Sequence, residues 1–305
     1  MRVDLFVIDG QKDFCASGDE PEKRRGALFV DGANEEANRV ADMIKRLEAP
    51  GLPGNHKISK IHCSLDSHHK NDGSHNTSWR TTSGAIVDPF TIVSPSDAAN
   101  QVYRPIFPMA QWQGEVVSSV VWATEYTAAL EKEGRSPLCL WPPHCEIGKW
   151  GQNTYDPLAE AYDFWCDKTG TWIDWITKGQ WPFTEHYSAL KADVPDPKRR
   201  ETQMNSDAIE DASNADIIVW SGWAGSHCLR WTGLDGVNFF EPSDAEKQAG
   251  ATNEFIQKCV FLEDASAAVP NVPGGPDFGQ WRREFLDEMD QRGAKISTTT
   301  DFLAS

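Results

Sequence analysis

Apolar residues along this chain gather into short runs separated by stretches of helical spacing, the pattern of alternating strands and helices. VDLFVID (3 to 9) is one such run, and Ala37, Val40, Ala41, Ile44 and Leu47 then recur three and four apart before KISKIHCSL (57 to 65) resumes strand character. This predicts a βαβ opening. PLCLW (137 to 141), TWIDWIT (171 to 177), ADIIVWSG (215 to 222) and FIQKCVFLED (255 to 264) are each able to form a buried parallel strand. Phe278, Trp281, Phe285 and Met289 predict a closing helix that stops near Gly293. Gly/Pro-rich turns at 49 to 54 and 270 to 276 punctuate the elements, and no internal repeat interrupts them. The expected fold is α/β, a mostly parallel central sheet with helices on both faces.

In an open α/β sheet ligands sit beyond the carboxyl ends of the strands. Asp9, Asp66, His144, Lys178 and Cys228 all come after apolar runs. Cys228 comes after the loop SGWAGSH and opens a helix, where backbone N–H groups and the helix dipole favour a thiolate and hold an oxyanion. By position alone it reads more readily as one more buried thiol. Asp9 ends a strongly apolar strand, where a carboxylate is costly unless paired or used; capping a turn is the plainer alternative. Lys178 ends TWIDWIT in the same way, and an ammonium beside both residues would orient the carboxylate and lower the thiol pKa. In LDSHHKNDGSH (65 to 75), Asp66 and His68 lie two apart and point the same way on an extended segment. His144 in WPPHC completes a set of two histidines and one carboxylate able to share a metal, with His69 and His75 as nearby competitors. His62, inside a strand, is expected in the core with a hydrogen bond, and His56, His186 and His227 show no ligand pattern.

Charge and cysteine usage narrow the partners. Lys plus Arg total 29 against 46 Asp plus Glu, a formal charge of -17, so nucleic acid and anionic membrane are excluded as expected partners. No stretch approaches the roughly 20 apolar residues of a membrane span, and the start MRVDLFVIDG lacks the pattern of a signal peptide. Seven scattered cysteines, an odd number without dense spacing, suggest reduced thiols and a cytoplasmic setting. No Cys-x-x-Cys pair is present, which sets a thiol redox role aside.

Taken in order, FVIDGQKDF, LDSHH, WPPHC, ITKG with EHYSAL, and SGWAGSHCLRWT resemble the nicotinamidase and isochorismatase-like cysteine hydrolases along nearly the whole chain. The resemblance implies a catalytic triad of Asp9, Lys178 and Cys228. It implies metal ligation by Asp66, His68 and His144, with zinc the expected ion and iron or manganese the alternatives. It also implies an oxyanion hole of the Ala224 and Cys228 N–H groups, with a cis peptide between Trp223 and Ala224. Phe14 and Trp141, beside Asp9 and His144 in the motifs, are expected either to stack on a flat substrate or simply to pack in the core. Cys145, next to His144, is the rival nucleophile but lacks the strand, glycine loop and helix context.

The implied organisation is a single isochorismatase-like hydrolase domain over residues 1–305 with an insertion at about 73–136. That insertion holds a helical segment, GEVVSSVVWATEYTAALEKEG, and many of the thirteen tryptophans fall in or near it and the following segment, so it is expected to cap the site or build a homo-oligomer interface. His69 and Lys149 stand where short nicotinamidases tend to have Pro and Thr; a longer branch with Ser-His-Cys and Trp-Pro-Pro-His-Cys segments is more similar. The implied activity is hydrolysis of a small amide to a carboxylic acid and ammonia, in NAD metabolism for the nicotinamidases. The alternatives are a carbamoyl or isochorismate-like substrate, or a non-catalytic binding protein on the same fold.

Overall fold

In the computed structural model the described residues are 1–49, 57–272 and 275–303. The opening strand β1 (Val3–Ile8) is buried at every position, as a strand covered on both faces must be. Helix α1 (Lys12–Cys15) and helix α2 (Ala33–Leu47) lead to strand β2 (Ile58–Asp66). Six short strands then lie outside the central sheet: β3 (Trp79–Thr81), β4 (Thr91–Val93), β5 (Tyr103–Pro105), β6 (Met109–Trp112), β7 (Glu115–Ser118) and β8 (Leu138–Leu140). Helices α3 (Pro95–Ala99) and α4 (Ser119–Lys132) accompany them. After α5 (Asp156–Thr169) the chain returns to the sheet through β9 (Asp174–Lys178), then α6 (Ser206–Ser213) and β10 (Ile217–Gly222). Helix α7 (Cys228–Phe239), α8 (Asp244–Gln248), β11 (Cys259–Leu262), α9 (Phe278–Arg292) and β12 (Lys295–Ser297) complete it.

The central sheet has six strands in the order β12-β11-β10-β1-β2-β9, every neighbouring pair parallel. Side-chain alternation divides its core into two layers. On one face Phe6 stacks on His62 and on Trp220, each at 4.3 Å between centroids, and Trp220 stacks on Phe261 at 5.8 Å. Phe285 of α9 meets Phe261 edge-on, and a side chain at Gly233 of α7 would press on both rings, so α7 and α9 cover this face. On the other face Cys63, next to His62 in the strand, approaches the Tyr162 hydroxyl of α5, which packs along α2. His62 is therefore a core histidine, bonded to Asp174 at 2.7 Å.

Two expectations need correction. PLCLW does form a buried strand, but β8 pairs antiparallel with β4 in a two-stranded sheet of its own. The segment expected as one helix from Gly114 begins as β7, the second strand of a hairpin with β6, and becomes helical only where Ser118 caps α4 by accepting from Val121. Val116 and Val117, β-branched and next to the Gln113-Gly114 turn, suit a hairpin. The expected turns at 49 to 54 and 270 to 276 lie partly outside the described residues, as does His56. A second apolar cluster built on Trp79, Trp112, Trp122, Tyr126, Leu138 and Leu140 holds the hairpin, α4 and β8 together. All seven cysteines are free thiols; six are buried and Cys166 is half-buried. Among the described residues, no helix is long and apolar enough to cross a membrane.

Candidate active site

Parallel pairing sends every strand's carboxyl end to one edge of the sheet, and the charged residues collect there. Asp9 follows β1 with a positive φ of 54°, Asp66 and Lys178 are the last residues of the neighbouring strands β2 and β9 and are register partners, and Cys228 opens α7 after β10. The Lys178 ammonium, 2% exposed, lies 2.9 Å from Asp9 Oδ2 and 3.1 Å from Asp66 Oδ1. It donates to the His186 carbonyl at 3.0 Å and stands 3.6 Å from Cys228 Sγ. Gly179 has φ 78°, and a side chain there would come within 2.7 Å of Asp66 Oδ1, so the turn after Lys178 requires glycine.

All four of these groups titrate away from their ordinary values; burial works to raise Asp66, but His68 and Lys178 hold it well below. Burial pushes the Asp9 carboxyl up, opposed by Lys178 and by a hydrogen bond from Ser64. Lys178 is held well above its usual value: burial alone would lower it, but Asp66 and Asp9 outweigh that cost. Burial likewise drives the Cys228 thiol well up, with Lys178 pulling the other way. Burial thus opposes ionisation of the thiol, which has Asp9 and an ammonium beside it.

The triad is held by residues the sequence alone did not single out. Ser64 Oγ donates to Asp9 Oδ1 at 2.6 Å and accepts from Asp9 N at 3.0 Å. Gln11 pairs reciprocally with the Asp66 backbone, both bonds 2.8 Å. Ser64 carried a signal, since it lies two residues before Asp66 and so on the same face of the strand; Gln11 carried none. The peptide between Trp223 and Ala224 is cis, as the resemblance implied. Among the described residues, the N–H groups of Ala224 and Cys228 donate to no other group.

Next to the triad, His68, His75 and His144 bring ring nitrogens within 4.8 Å of one another, all buried. Asp66 Oδ2 reaches His68 Nε2 at 2.9 Å and His144 Nε2 at 3.4 Å. His75 thus joins the three expected ligands, while its competitor His69 is exposed. Burial and the neighbouring imidazoles lower His75 to about 2, which keeps it in the neutral, ligating form. His75 Nδ1 has no protein partner. Three buried imidazoles, one of them with an orphaned ring nitrogen, and a carboxylate beside them fit a divalent metal ion.

A narrow cleft joins the two groups. Phe14, Leu28, Trp141 and Val269 give it apolar walls, and Asp66, His144, Glu185, Tyr187, His227, Ala224 and Cys228 also face it. Phe14 and Trp141 thus both line the cleft, and both are buried. Its interior is only about 20 Å³, room for roughly one water, so a ring-sized molecule needs side chains at the mouth to move. A roomier cavity of about 440 Å³ beside His186, Met204 and Arg200 contains none of the triad or cluster residues. Burial raises the Glu185 carboxyl to about 8, and its Oε2 has no protein partner. Cys145 is fully buried, with its N–H bonded to Asp13 Oδ2 at 2.7 Å and its sulfur 4.0 Å from the Gly151 carbonyl.

No family model and no curated protein sequence matches this chain. Solved structures do. The yeast nicotinamidase is similar over 97% of this chain and 99% of its own, with 15% identity and a TM-score of 0.57. The same yeast enzyme bound to the inhibitor nicotinaldehyde gives 15% identity, 98% and 100% coverage and a TM-score of 0.57. An Acinetobacter baumanii nicotinamidase pyrazinamidase gives 18% identity, 98% and 97% coverage and a TM-score of 0.55. With its six parallel strands and flanking helices, the chain has the isochorismatase-like α/β fold of these nicotinamidase structures.

Proposed function

We propose that this protein is a metal-assisted cysteine amidohydrolase resembling nicotinamidase, which converts a small amide to a carboxylic acid and ammonia. The observation that carries the reading is one buried ammonium, Lys178, in contact at once with Asp9, Asp66 and the Cys228 sulfur. Asp9 takes the thiol proton as the sulfur attacks the amide carbon, and Lys178 offsets the charge that forms on sulfur. The carbonyl oxygen becomes an oxyanion facing the N–H groups of Ala224 and Cys228. The proton on Asp9 passes to the leaving nitrogen, the C–N bond breaks, and ammonia departs from a thioester. Water then gives a proton to Asp9 and attacks the thioester carbon; the C–S bond breaks, and the proton returns to sulfur as the acid leaves.

Asp66, His68, His75 and His144 would hold the metal, for which we propose zinc ahead of iron or manganese; when bound it supplies a Lewis acid for a substrate atom or water. Among the described residues, no lysine or arginine lines the cleft, which suits an uncharged amide better than an isochorismate-like dianion.

The test is ammonia release by metal-loaded protein from nicotinamide, pyrazinamide and a panel of small uncharged amides. Turnover of at least one amide should fall by about a thousandfold or more in Cys228→Ala, with fold and metal content unchanged. Near-normal activity in that variant would sink the assignment.

A further inference from the structure

The loop that carries Ala224 does not hold itself in place. Trp223 N donates to the Ile8 carbonyl at 3.0 Å, and Gly225 N donates to the Ala267 carbonyl at 2.8 Å. Beyond that, residues 223–226 rest on the segment 266–269, which belongs to a different part of the chain. At Gly225 the two segments meet backbone to backbone: a side chain there would lie 2.0 Å from the Ser266 carbonyl oxygen. Ser226 Oγ accepts from Val269 N at 3.3 Å, and Arg282 of α9 donates to the Ser266 carbonyl at 2.6 Å.

A single carboxylate oxygen spans both segments. Glu36, in the first turn of α2, is buried, and its Oε2 accepts from Trp223 Nε1 at 2.8 Å and from Ala267 N at 2.7 Å. One bond therefore fixes the residue before Ala224 and the other fixes the residue whose carbonyl holds Gly225. Arg39 is the nearest cation, 3.9 Å from Glu36 Oε1, too far for a tight pair. A buried carboxylate gives up its hydration, a cost offset by two N–H donors that an apolar side chain would leave unpaired. A short, charge-assisted anchor has a different virtue, which is directional precision.

We propose that Glu36 is the positioning residue of the oxyanion hole: through Trp223 and Ala267 it aims the Ala224 N–H at the carbonyl oxygen of the substrate, without touching the substrate. The inference rests on the amidohydrolase reading above. Oxyanion donors act only when they lie close to where the negative oxygen forms, and a shift of about 1 Å costs on the order of a hundredfold in rate. Ground-state binding has no such demand, so loosening this anchor should act on kcat and leave KM nearly alone.

Two probes separate the effects. On the amidohydrolase reading nicotinaldehyde should react with Cys228: a C–S bond forms, the thiol proton passes to Asp9, and the aldehyde oxygen becomes an oxyanion in the hole. Nicotinate makes no such oxyanion. In metal-loaded protein, Glu36→Leu should lower kcat for the amide that wild type turns over by about 10- to 100-fold, with KM changed by less than about threefold. Nicotinaldehyde affinity should fall in step with kcat, while nicotinate affinity stays within about threefold. Glu36→Gln, whose amide oxygen still accepts both N–H groups, should keep kcat within about threefold of wild type. Trp223→Phe, which deletes one of the two bonds and keeps a ring in place, should fall between and decides the matter if Glu36→Leu does not fold.

The proposal is overturned if folded Glu36→Leu or Trp223→Phe keeps wild-type kcat and nicotinaldehyde affinity, or if nicotinate weakens as much as nicotinaldehyde. A wild-type protein that releases ammonia from no amide sinks the amidohydrolase reading instead; the loss of nicotinaldehyde affinity in the variants then still decides the role of Glu36. A wild-type protein that neither turns over an amide nor binds the aldehyde overturns both.

Discussion

Replacing Lys178 with methionine should expose how much of the site's charge is held in place by one ammonium. Lys178 is 2% exposed and pairs with two buried carboxylates, at 2.9 Å to Asp9 and 3.1 Å to Asp66. Removing one partner of a buried ion pair costs about 3–5 kcal/mol, because the other charge is left uncompensated. Here Asp9 loses its ammonium while Asp66 keeps His68 at 2.9 Å, and a domain has only about 5–15 kcal/mol to lose. Lys178→Met should therefore lie near the edge of folding at neutral pH. The cost belongs chiefly to the charged Asp9 carboxylate. Burial already raises Asp9 against Lys178, and without that ammonium its folded pKa rises further above the roughly 3.9 of an unfolded aspartate, so the native state binds more protons than the unfolded one. Stability then falls as pH rises above about 4 until the folded pKa is passed, and recovers on acidification. Urea unfolding of metal-free wild type, Lys178→Met and the double variant Asp9→Asn/Lys178→Met at pH 5 and pH 8 measures this. The single variant should lose at least about 3 kcal/mol at pH 8 and clearly less at pH 5. Neutralising Asp9 in the double variant should return part of the loss. An equal cost at both pH values, or a further loss in the double variant, would refute the reasoning.

Two further expectations concern single histidines. His62 is buried against Asp174 and Asp4; burial works against the imidazolium, but the two carboxylates prevail and raise its pKa. The stability it adds is full below about 6.5, the unfolded value, and is lost as pH rises through the raised folded value. His62→Gln should thus cost about 1.5–3 kcal/mol at pH 6 and less at pH 9 by urea unfolding; a cost that grows with pH would contradict this. His75→Ala should weaken metal binding by tenfold or more in competition with a chelator, whereas His69→Ala, at an exposed position, should leave it unchanged.

The strands and helices that the sequence made legible are those whose signal is local. The apolar run at 3 to 8, the strand character of 57 to 65 and the helical spacing of α2 and α9 each state their own burial without reference to a partner. Pairing is not local, and PLCLW shows it: a three-residue buried strand carries no mark of which neighbour it joins, and β8 joins β4. TWIDWIT was legible only in its second half, because Trp172 is 75% exposed and β9 is an edge strand that buries little on its free side. Lys295–Ser297 is too short to announce β12. In the site, Asp9, Asp66, Lys178 and Cys228 stood out because each follows an apolar run. His75 did not, since its place in the cluster comes from a turn in which its N–H bonds the Asp72 carbonyl. Gln11 and Glu36 were silent for a further reason: their partners, Asp66 and the pair Trp223 and Ala267, are distant in sequence, and no residue spacing encodes such bonds.

The distribution of the seven unpaired thiols gives the molecule a clock that needs no label. Cys166 is half-buried, Cys228 borders the cleft, and the remaining five are sealed in the interior, so an alkylating reagent meets them in order of how much structure must open first. One adduct measures nothing beyond surface access, a second reports breathing of the cleft mouth, and the other five arrive only when the core itself parts. Counting adducts by mass against time therefore resolves local opening from global unfolding in a single, untagged sample.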